Sequence, residues 1–368
     1  VLPAGGLSGI TGAITNLGLT FNIFNNLANL GTISSAANLN VNAGAIYNQL
    51  PSGLVGVSPI MQAVNNLNLN TNLGHIDNSG ILAATIGNVN LASLNHLVIN
   101  NVNGSIQALV GNINIHSTAD ALHTLNINAT GGDWLSQQVN INAGYGALDA
   151  CVNQITGQVN VNAAYANLGA STPNLNLGNI NITGDPTWFN TAGNVILSGP
   201  IVATGASPNI AILASGNIIS TTGASVIDSS SGQTGGNAGE ITLVAGAAFT
   251  SGSGSGAGNT ADTLTIASPT PGSAGGGIYL DGTAPPGFSG TPSTIATITS
   301  AGVGSNNNGG SITMVAYAGT GAGSGVVRLP STLTITSGGS GTGTNGSITI
   351  IAGADSGSSV AIGGIQTS

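Results

Sequence analysis

The sequence is almost without charge: its 368 residues include 10 acidic residues and a single basic one, Arg328. A typical soluble domain is about 25% charged. With a net charge of −9 and one cation, the chain lacks the lysines and arginines that neutralise phosphate groups. This excludes nucleic acid and anionic membrane surfaces as partners. The surface must consist of uncharged polar residues, and Asn, Ser, Thr and Gly separate short aliphatic runs throughout the chain.

Cysteine and long hydrophobic runs are also scarce. Cys151 is alone, so an intrachain disulfide framework is excluded and the thiol is expected to act as a small buried hydrophobe. No apolar run approaches the ~18 residues of a membrane-spanning helix. A content of 41% hydrophobic residues and a mean hydropathy of +0.34 disfavour disorder. The chain starts at Val1 without a leader pattern, as expected of an exported protein whose leader has been removed.

Short alternations of an aliphatic residue and asparagine recur along the first half of the chain. Alternation with a period of two over four or five residues, bounded by Gly and Asn, predicts short strands with one buried face. In the second half, units of the type GSITIIAGA (346–354) alternate with units of the type TLTITS (332–337). The first-half units lie at residues 39–42, 67–70, 88–91, 112–115, 125–128, 139–142, 159–162, 174–177 and 179–182.

The spacing of these units predicts a parallel β-solenoid. In the second half, like units are separated by one unit of the other type, and the interval from one unit to the next suggests coils of about 20 residues. A β-sandwich is the competing fold, but it gives no reason for the self-similarity. We therefore expect about 15–20 coils. Three parts are expected: an irregular N-terminal segment or assembly element (1–60), an Asn-ladder β-helix (61–235), and a Gly/Ser/Thr-rich β-helix (236–368).

Two neighbouring repeats, QVNINAGYGAL (138–148) and QVNVNAAYANL (158–168), show how the coils are expected to stack. Equivalent residues of successive coils meet at about 4.8 Å. The aliphatic residues are expected to stack inside, while the asparagines stack outside and hydrogen-bond from coil to coil. The predicted ladder consists of Asn126, Asn128, Asn140, Asn142, Asn160 and Asn162, with Tyr145 stacked over Tyr165.

Several units resemble the repeats of a known family. AGNVILSGPIVATG (192–205), ASGNIISTTGASVI (214–227) and GGNAGEITLVAGA (235–247) resemble the Gly-Asn-Ile and Gly-x-Ile-Thr-Leu repeats of filamentous-haemagglutinin-like secreted bacterial proteins. The resemblance covers about residues 85 to 355. It implies a right-handed β-helix, exported to the cell surface, that serves as an adhesin or a surface fibre. The Asn-Pro-Asn-Gly turn of that family's secretion domain does not occur in the sequence.

The ionisable residues predict no enzyme and no cofactor. Polysaccharide lyases of the β-helix class need a basic residue, and Arg328 is the only one. Hydrolases need two or three adjacent carboxylates, whereas the acids here are scattered and no Asp-x-Asp pair occurs. A pair of adjacent carboxylates would form only if the stacking of coils brought Asp133 beside Asp149, or Asp262 beside Asp281. Because most acids lie beside Gly or Pro, we expect them in turns or caps.

The four histidines form a loose cluster along the chain. Three of them follow each other at intervals close to one predicted coil, which fits a ladder of imidazoles. Aligning GNVNL (87–91) with GNINI (111–115) gives a longer offset, however, which places other residues opposite them. No metal site is therefore predicted, and the Gly-Gly-x-Gly-x-Asp pattern of calcium-binding β-rolls is absent from the sequence. The histidines are His75, His96, His116 and His123.

Three large aromatic residues are the candidates for contact with a glycan. Trp134, Trp188 and Phe189 would stack on a sugar if they were exposed side by side. The alternative is that they fill a coil corner or an interface, which is the commoner use of aromatics in a chain with only 3% of them.

The apolar, nearly uncharged ends of the chain suggest self-association. No charged residue precedes Asp77 in the sequence. An open solenoid edge seeks another β-edge, and head-to-tail pairing that does not close produces a filament. The sequence therefore predicts a non-enzymatic extracellular or cell-surface filament or surface layer, with the chain itself as partner. The alternatives are an adhesin that binds glycans and, third, a polysaccharide-active enzyme.

Overall fold

The computed structural model describes residues 18–54, 56–117, 125–231, 236–249, 270–354 and 357–362. Within these ranges the chain consists of short strands joined by turns and bends, with no helix. The strands pair almost entirely in parallel, each with strands one turn of the chain earlier and later, and together they form one β-solenoid. The prediction of an all-β parallel solenoid is therefore confirmed.

The strands are short and closely spaced. In chain order they are Leu19–Asn22, Leu27–Asn29, Thr32–Ser35, Leu39–Asn48, Ile60–Ala63, Leu67–Asn78, Ile81–Ala84, Val89–Ser93, Leu97–Asn100, Ser105–Ser117, Ile127–Thr130, Asp133–Asn142, Ala147–Val152, Gln154–Ile155, Gln158–Ala163, Tyr165–Ala170, Asn174–Ile182, Pro186–Asn190, Asn194–Leu197, Ile201–Ala203, Ile210–Ala214, Ile218–Ser220, Val226–Asp228, Ile241–Ala245, Ala247–Ala248, Thr270–Pro271, Ile278–Tyr279, Thr297–Thr299, Ile312–Ala316, Val327–Arg328, Thr334–Thr336, Ile348–Ala352 and Val360–Ala361. The pair Ala247–Ala248 and Thr270–Pro271 is antiparallel and lies outside the main sheet.

Each coil contributes one segment to each of three faces, which we name A, B and C in the order in which the chain visits them. The inward-pointing residues of successive coils form one row on each face, and neighbours in a row are register partners except at the step from Ile155 to Leu175. The inward row of face A is Phe21, Val41, Leu69, Leu91, Ile115, Ile141, Val161, Ile180, Ile201, Ile227, Ile298 and Ile335. The inward row of face B is Leu27, Ile46, Ile76, Ile99, Ala129, Ala150, Leu168, Trp188, Ile212, Leu243, Met314 and Ile350. The inward row of face C is Ile33, Met61, Leu82, Ile106, Trp134, Ile155, Leu175, Val195, Ile218, Ile278, Val327 and Val360.

The described strands therefore form twelve coils, fewer than the expected 15–20. The two unit types of the second half are not separate coils: TLTITS (332–337) lies on face A and GSITIIAGA (346–354) on face B of the same turn. Ile227 and Ile298 are direct partners, so the described strands between them belong to a single turn. Loops between strands lengthen a coil without adding a level to the stack.

The N-terminal part is more regular than expected. Residues 1–17 lie outside the described residues, but from Leu19 onward the chain follows the same stacking rule as the rest of the solenoid. Leu19–Asn22 pairs with Leu39–Asn48, which in turn pairs with Leu67–Asn78. The only excursion within the described part of 1–60 is the connection between Asn48 and Ile60, which contains a turn at 52–53.

One continuous apolar core runs along the axis and is assembled from the inward rows of all three faces. Because each coil covers the next, the inward side chains of the middle coils are almost completely buried. At the first and last described coils the corresponding side chains are only partly buried, since no described residue stacks on them. They are Leu19, Phe21, Ile23, Leu27 and Ile33 at one end, and Ile348, Ile350 and Ala352 at the other.

Candidate functional site

The outer surface of face A carries two files of asparagine side chains. In the first amide file the Nδ2 of Asn40 donates to the Thr20 Oγ1 at 3.1 Å, and each later Nδ2 donates to the Oδ1 of the preceding asparagine over 2.6–2.9 Å. Its members are Asn40, Asn68, Asn90, Asn114, Asn140 and Asn160. The second amide file has two stretches, with bonds of 2.7–3.1 Å: Asn22, Asn42 and Asn70, then Asn142, Asn162 and Asn181. Ala92 and His116 occupy the two positions between these stretches.

The two repeats at 138–148 and 158–168 are neighbouring coils, as predicted. Asn140 is the register partner of Asn160, and Asn142 of Asn162. The amide bonds between them measure 2.8 Å and 2.9 Å. Since a primary amide has two N–H groups and an oxygen with two lone pairs, each ladder member inside a file keeps one donor and one acceptor for an outside partner.

Asn126 and Asn128, also predicted as ladder members, lie elsewhere. Residues 125–128 have the same alternation of aliphatic residue and asparagine as the units on face A. Their strand nevertheless belongs to face B, because Ile127 and Asn128 pair with Leu97 and Val98 there. The Oδ1 of Asn126 accepts a hydrogen bond from the backbone N–H of Ala147 at 3.0 Å. Period-two alternation identifies a strand but not the face to which it belongs, and this is why the prediction was wrong.

Tyr145 is not stacked over Tyr165 as predicted, because the register partner of Tyr165 is Ala147. The connection from Asn142 to Ala147 in the earlier repeat is longer than the connection from Asn162 to Tyr165 in the later one, which moves the tyrosines out of register. Both rings are nevertheless on the surface, with 60% and 58% of their area exposed.

The three predicted glycan contacts are buried. Trp134 and Trp188 belong to the inward rows of faces C and B, and both are 0% exposed. Phe189 points outward from face B but is covered: it packs with Leu213 and Val244 and against Phe249, at a ring-centroid distance of 6.2 Å. The indoles therefore fill the interior, as in the alternative interpretation. No described residue accepts a hydrogen bond from either indole Nε1–H.

A second asparagine ladder, missed in the sequence, lies inside the corner between faces B and C. Its members, which we call the corner ladder, are Asn29, Asn48, Asn78 and Asn101. They are at most 5% exposed and bond in series over 2.6–2.7 Å. Their Nδ2 groups also reach backbone carbonyls, as Asn48 does at Ile81 (3.1 Å). The detectable signal is a glycine two residues later, as in Asn29-Leu-Gly31 and Asn78-Ser-Gly80, whose N–H donates to the asparagine Oδ1.

The ionisable groups do not converge within the described residues. No group of three or more His, Cys, Asp or Glu side chains is placed to hold a metal ion there. Asp133 pairs with Gln154 rather than with Asp149. His96 accepts a hydrogen bond at Nδ1 from the backbone N–H of Asn126 (2.9 Å). His123 and Asp262 lie outside the described residues.

Two outward side chains on face B have shifted pKa values. Burial raises the pKa of Asp77, and the charge of His75 and a hydrogen bond from Asn100 act against this effect. Burial, assisted by the charge of Asp149, raises the pKa of the Cys151 thiol, so the thiol stays protonated. Neither environment resembles a nucleophile activated by a lowered pKa.

The ends of the described solenoid have open strand edges. Leu19–Asn22 is bonded on one side to Leu39–Asn48, and no described strand covers its other edge. At the opposite end Ile348–Ala352 is bonded, among the described strands, only to Ile312–Ala316. Each end therefore presents strand edges that no described strand pairs with, around partly exposed apolar side chains.

Comparisons of the chain with protein-family models, with curated proteins and with solved structures found no match. The described residues form no helix that is long and apolar enough to cross a membrane. Function must therefore be inferred from the amide files, the open edges and the rows of side chains around them.

Proposed function

We propose that the chain is a non-enzymatic structural subunit of an extracellular filament or surface layer, and that it assembles head-to-tail through the two ends of the solenoid. The observation that carries this proposal is the open edge at each described end, where inward apolar residues remain partly exposed. Open parallel edges with an apolar centre are templates for another β-structure. A second copy of the chain is the proposed cover.

The two ends match each other chemically on face A. Ile335 holds the same inward position in the last coil as Phe21 in the first. Stacking Thr334–Thr336 beneath Leu19–Asn22 of another copy would place Ile on Phe inside and threonine on Thr20 outside. Such a junction continues the rule that apolar residues stack on apolar ones and polar residues on polar ones.

The composition of both edges favours contact between copies. The strands of the first and the last described coils contain no charged residue, since Arg328 belongs to the coil before the last, so stacking buries no unpaired charge at these strands. Because the two edges differ, the contact is heterologous, and such contacts produce open filaments when the rotation does not close. The nearly complete lack of Lys and Arg supports an extracellular location, because trypsin-like proteases find one site.

Two end-directed variants with matched controls test the proposal. Phe21→Lys and Ile350→Lys place a charge in the apolar centre of opposite edges, whereas Phe24→Lys and Ile351→Lys change neighbouring side chains that are 97% and 54% exposed. Negative-stain microscopy and sedimentation over a range of concentrations are expected to show rods that lengthen for the parent chain and both controls. Each edge variant alone should stay a single rod.

Mixing the two edge variants makes the test stricter. Phe21→Lys keeps an intact C-terminal edge and Ile350→Lys keeps an intact N-terminal edge, so their mixture should form dimers and nothing longer. Circular dichroism of each variant confirms that the solenoid is folded. Rods of one length at every concentration of the parent chain, or edge variants that lengthen as well as the controls, would contradict the proposal.

A further inference from the structure

Face A is bordered on both sides by exposed apolar residues. One border follows the corner between faces C and A, where successive coils are connected, for example, by the bond from Ile86 N–H to the Val64 carbonyl (2.9 Å). Its exposed members are Val64, Ile86, Leu109 and Val110. The other border follows the corner between faces A and B. Its exposed members are Phe24, Leu73, Leu94, Tyr145 and Tyr165.

On face A the two amide files form the floor of a shallow groove, and its described lining includes none of these border residues. The groove has a volume of about 470 Å³ in the region of coils five to eight. Its floor includes Asn114, Asn140 and Asn160 of the first amide file and Asn142, Asn162 and Asn181 of the second. No lysine, arginine or carboxylate is among its described lining residues, and His116 is the only titratable one of them.

We propose that this amide groove binds a neutral polysaccharide chain that lies along the solenoid axis. This binding activity goes beyond the proposed structural role and does not depend on it. Asn114, Asn140 and Asn162 each retain one N–H donor and one oxygen lone pair after their ladder bonds. At the ends of the files, the Oδ1 of Asn160 also accepts from the Asn179 N–H and the Oδ1 of Asn142 from the Gly144 N–H. A sugar hydroxyl is likewise both donor and acceptor, so a polymer that repeats hydroxyl groups along its length meets a protein surface that repeats the complementary groups at every coil.

The amides are already oriented before a ligand arrives. In both files each Nδ2 points to the preceding coil, so the spare donors and acceptors are presented in the same sense at each step. Binding to side chains whose rotamers are fixed loses little conformational entropy. A charged polymer would gain nothing here, because the groove lacks the opposite charges that would compensate for desolvation.

Two tyrosines at the corner between faces A and B, beside the groove and outside its lining, offer a stacking surface for a sugar ring. Tyr145 and Tyr165 each follow an asparagine of the second amide file by three residues, and more than half of each side chain is exposed. The ring of Tyr165 lies against the backbone of Gly184, where a Cβ atom would collide with it. Glycine at this position lets the ring lie on the next coil. An exposed aromatic ring packs well on the C–H face of a sugar.

The experiment measures depletion of the Phe21→Lys protein from solution by suspended polysaccharide, so that filament formation does not influence the result. Cellulose and chitin are the neutral probes, and polygalacturonate and chitosan are the charged ones. The test variants in this background are Tyr145→Ala with Tyr165→Ala, and Asn142→Ala with Asn162→Ala. The matched controls are Tyr47→Ala and Asn128→Ala, which remove the same side chains from face B.

The expected result is depletion by at least one neutral polymer, weakened about tenfold by either double variant and unchanged by the controls. Thermal unfolding confirms that all variants are folded. The proposal is overturned by a lack of depletion with both neutral polymers, by binding restricted to the charged polymers, or by double variants that bind as the controls do.

Discussion

The corner ladder and the first amide file use the same interaction in opposite surroundings. In both, asparagine amides bond from coil to coil over 2.6–2.9 Å. The corner amides are buried, and their Nδ2 groups also donate to backbone carbonyls, as Asn48 does to Ile81. The amides of face A are partly exposed and retain groups for an outside partner. The corner ladder thus uses its amides to hold the fold together, whereas the amide files on the outside of face A have groups free for contact with another molecule.

The largest expected difference between the ladders follows from introducing a charge. Asn48→Asp replaces a buried donor by a carboxylate oxygen that faces the Asn78 Oδ1 and the Ile81 carbonyl. An uncompensated buried charge of this type is expected to lower the free energy of unfolding by about 4 kcal/mol. Asn140→Asp places a carboxylate oxygen against the Asn114 Oδ1, but in a position that solvent reaches. It should lower the free energy of unfolding by about 1 kcal/mol or less.

Urea unfolding of both variants in the Phe21→Lys background, followed by circular dichroism, measures the two values. Equal losses at Asn48 and Asn140 would show that burial does not distinguish the ladders.

A medium effect is expected where the corner ladder ends. On the coil after Asn101 the chain has Gly132, with a φ of 66°, and a Cβ there would collide with the carbonyl and the side-chain amide of Asn101. Gly132→Ala should therefore cost about 3 kcal/mol, since steric overlap adds to backbone strain. Gly53, with a φ of 84° and open space around it, is the control, and Gly53→Ala should cost about 1 kcal/mol from strain alone. Chemical unfolding would contradict this account if the two alanines were equally costly.

The smallest effect concerns the pH dependence on face B, outside both ladders. Burial raises the folded-state pKa of Asp77 above its usual value of 3.8. The folded chain therefore holds this proton more tightly than the unfolded chain, and the associated stability is present below pH 3.8 and is lost as the pH rises through the raised pKa. In Asp77→Asn this loss disappears, so the melting temperature should fall less between pH 4 and pH 7 than in the parent. An unchanged difference in melting temperature would show that Asp77 does not contribute.

The sequence was sufficient for the strand pairing where successive coils have the same length. Asn140 and Asn160 lie one predicted coil length apart and are register partners, so sequence alignment and spatial register coincide on face A. Where corners differ in length the coincidence fails, as the offset of Tyr165 from Tyr145 shows. Coil number was overestimated for the same reason, since the long turn from Ile227 to Ile298 and the short one from Asn140 to Asn160 add the same height.

It was harder to predict whether a strand residue faces inward or outward than whether it belongs to a strand. In Asp133–Asn142 the inward position goes to Trp134 while the apolar Leu135 faces outward, so hydrophobicity alone gives the wrong choice between neighbours. The corner ladder was missed because its members lie outside the aliphatic–asparagine alternations from which the ladder was predicted. A glycine two residues after an asparagine, with a β-branched or aliphatic residue next, would have indicated it at Asn78.

The bonds of the two ladders also run in opposite directions. In the amide files the Nδ2 of the later coil donates to the earlier one, whereas Asn29 donates forward to Asn48, which donates forward to Asn78. Backbone dipoles of a β-sheet nearly cancel, so these aligned amides supply the axial electric moment. The opposed rows overlap in the first four coils, and beyond Asn101 only the face A files continue. Beyond Asn101 the rod, whose net charge of −9 comes from scattered acids, therefore carries amide rows that point one way along its axis. In the proposed head-to-tail filament, unlike ends of these rows would meet at each junction.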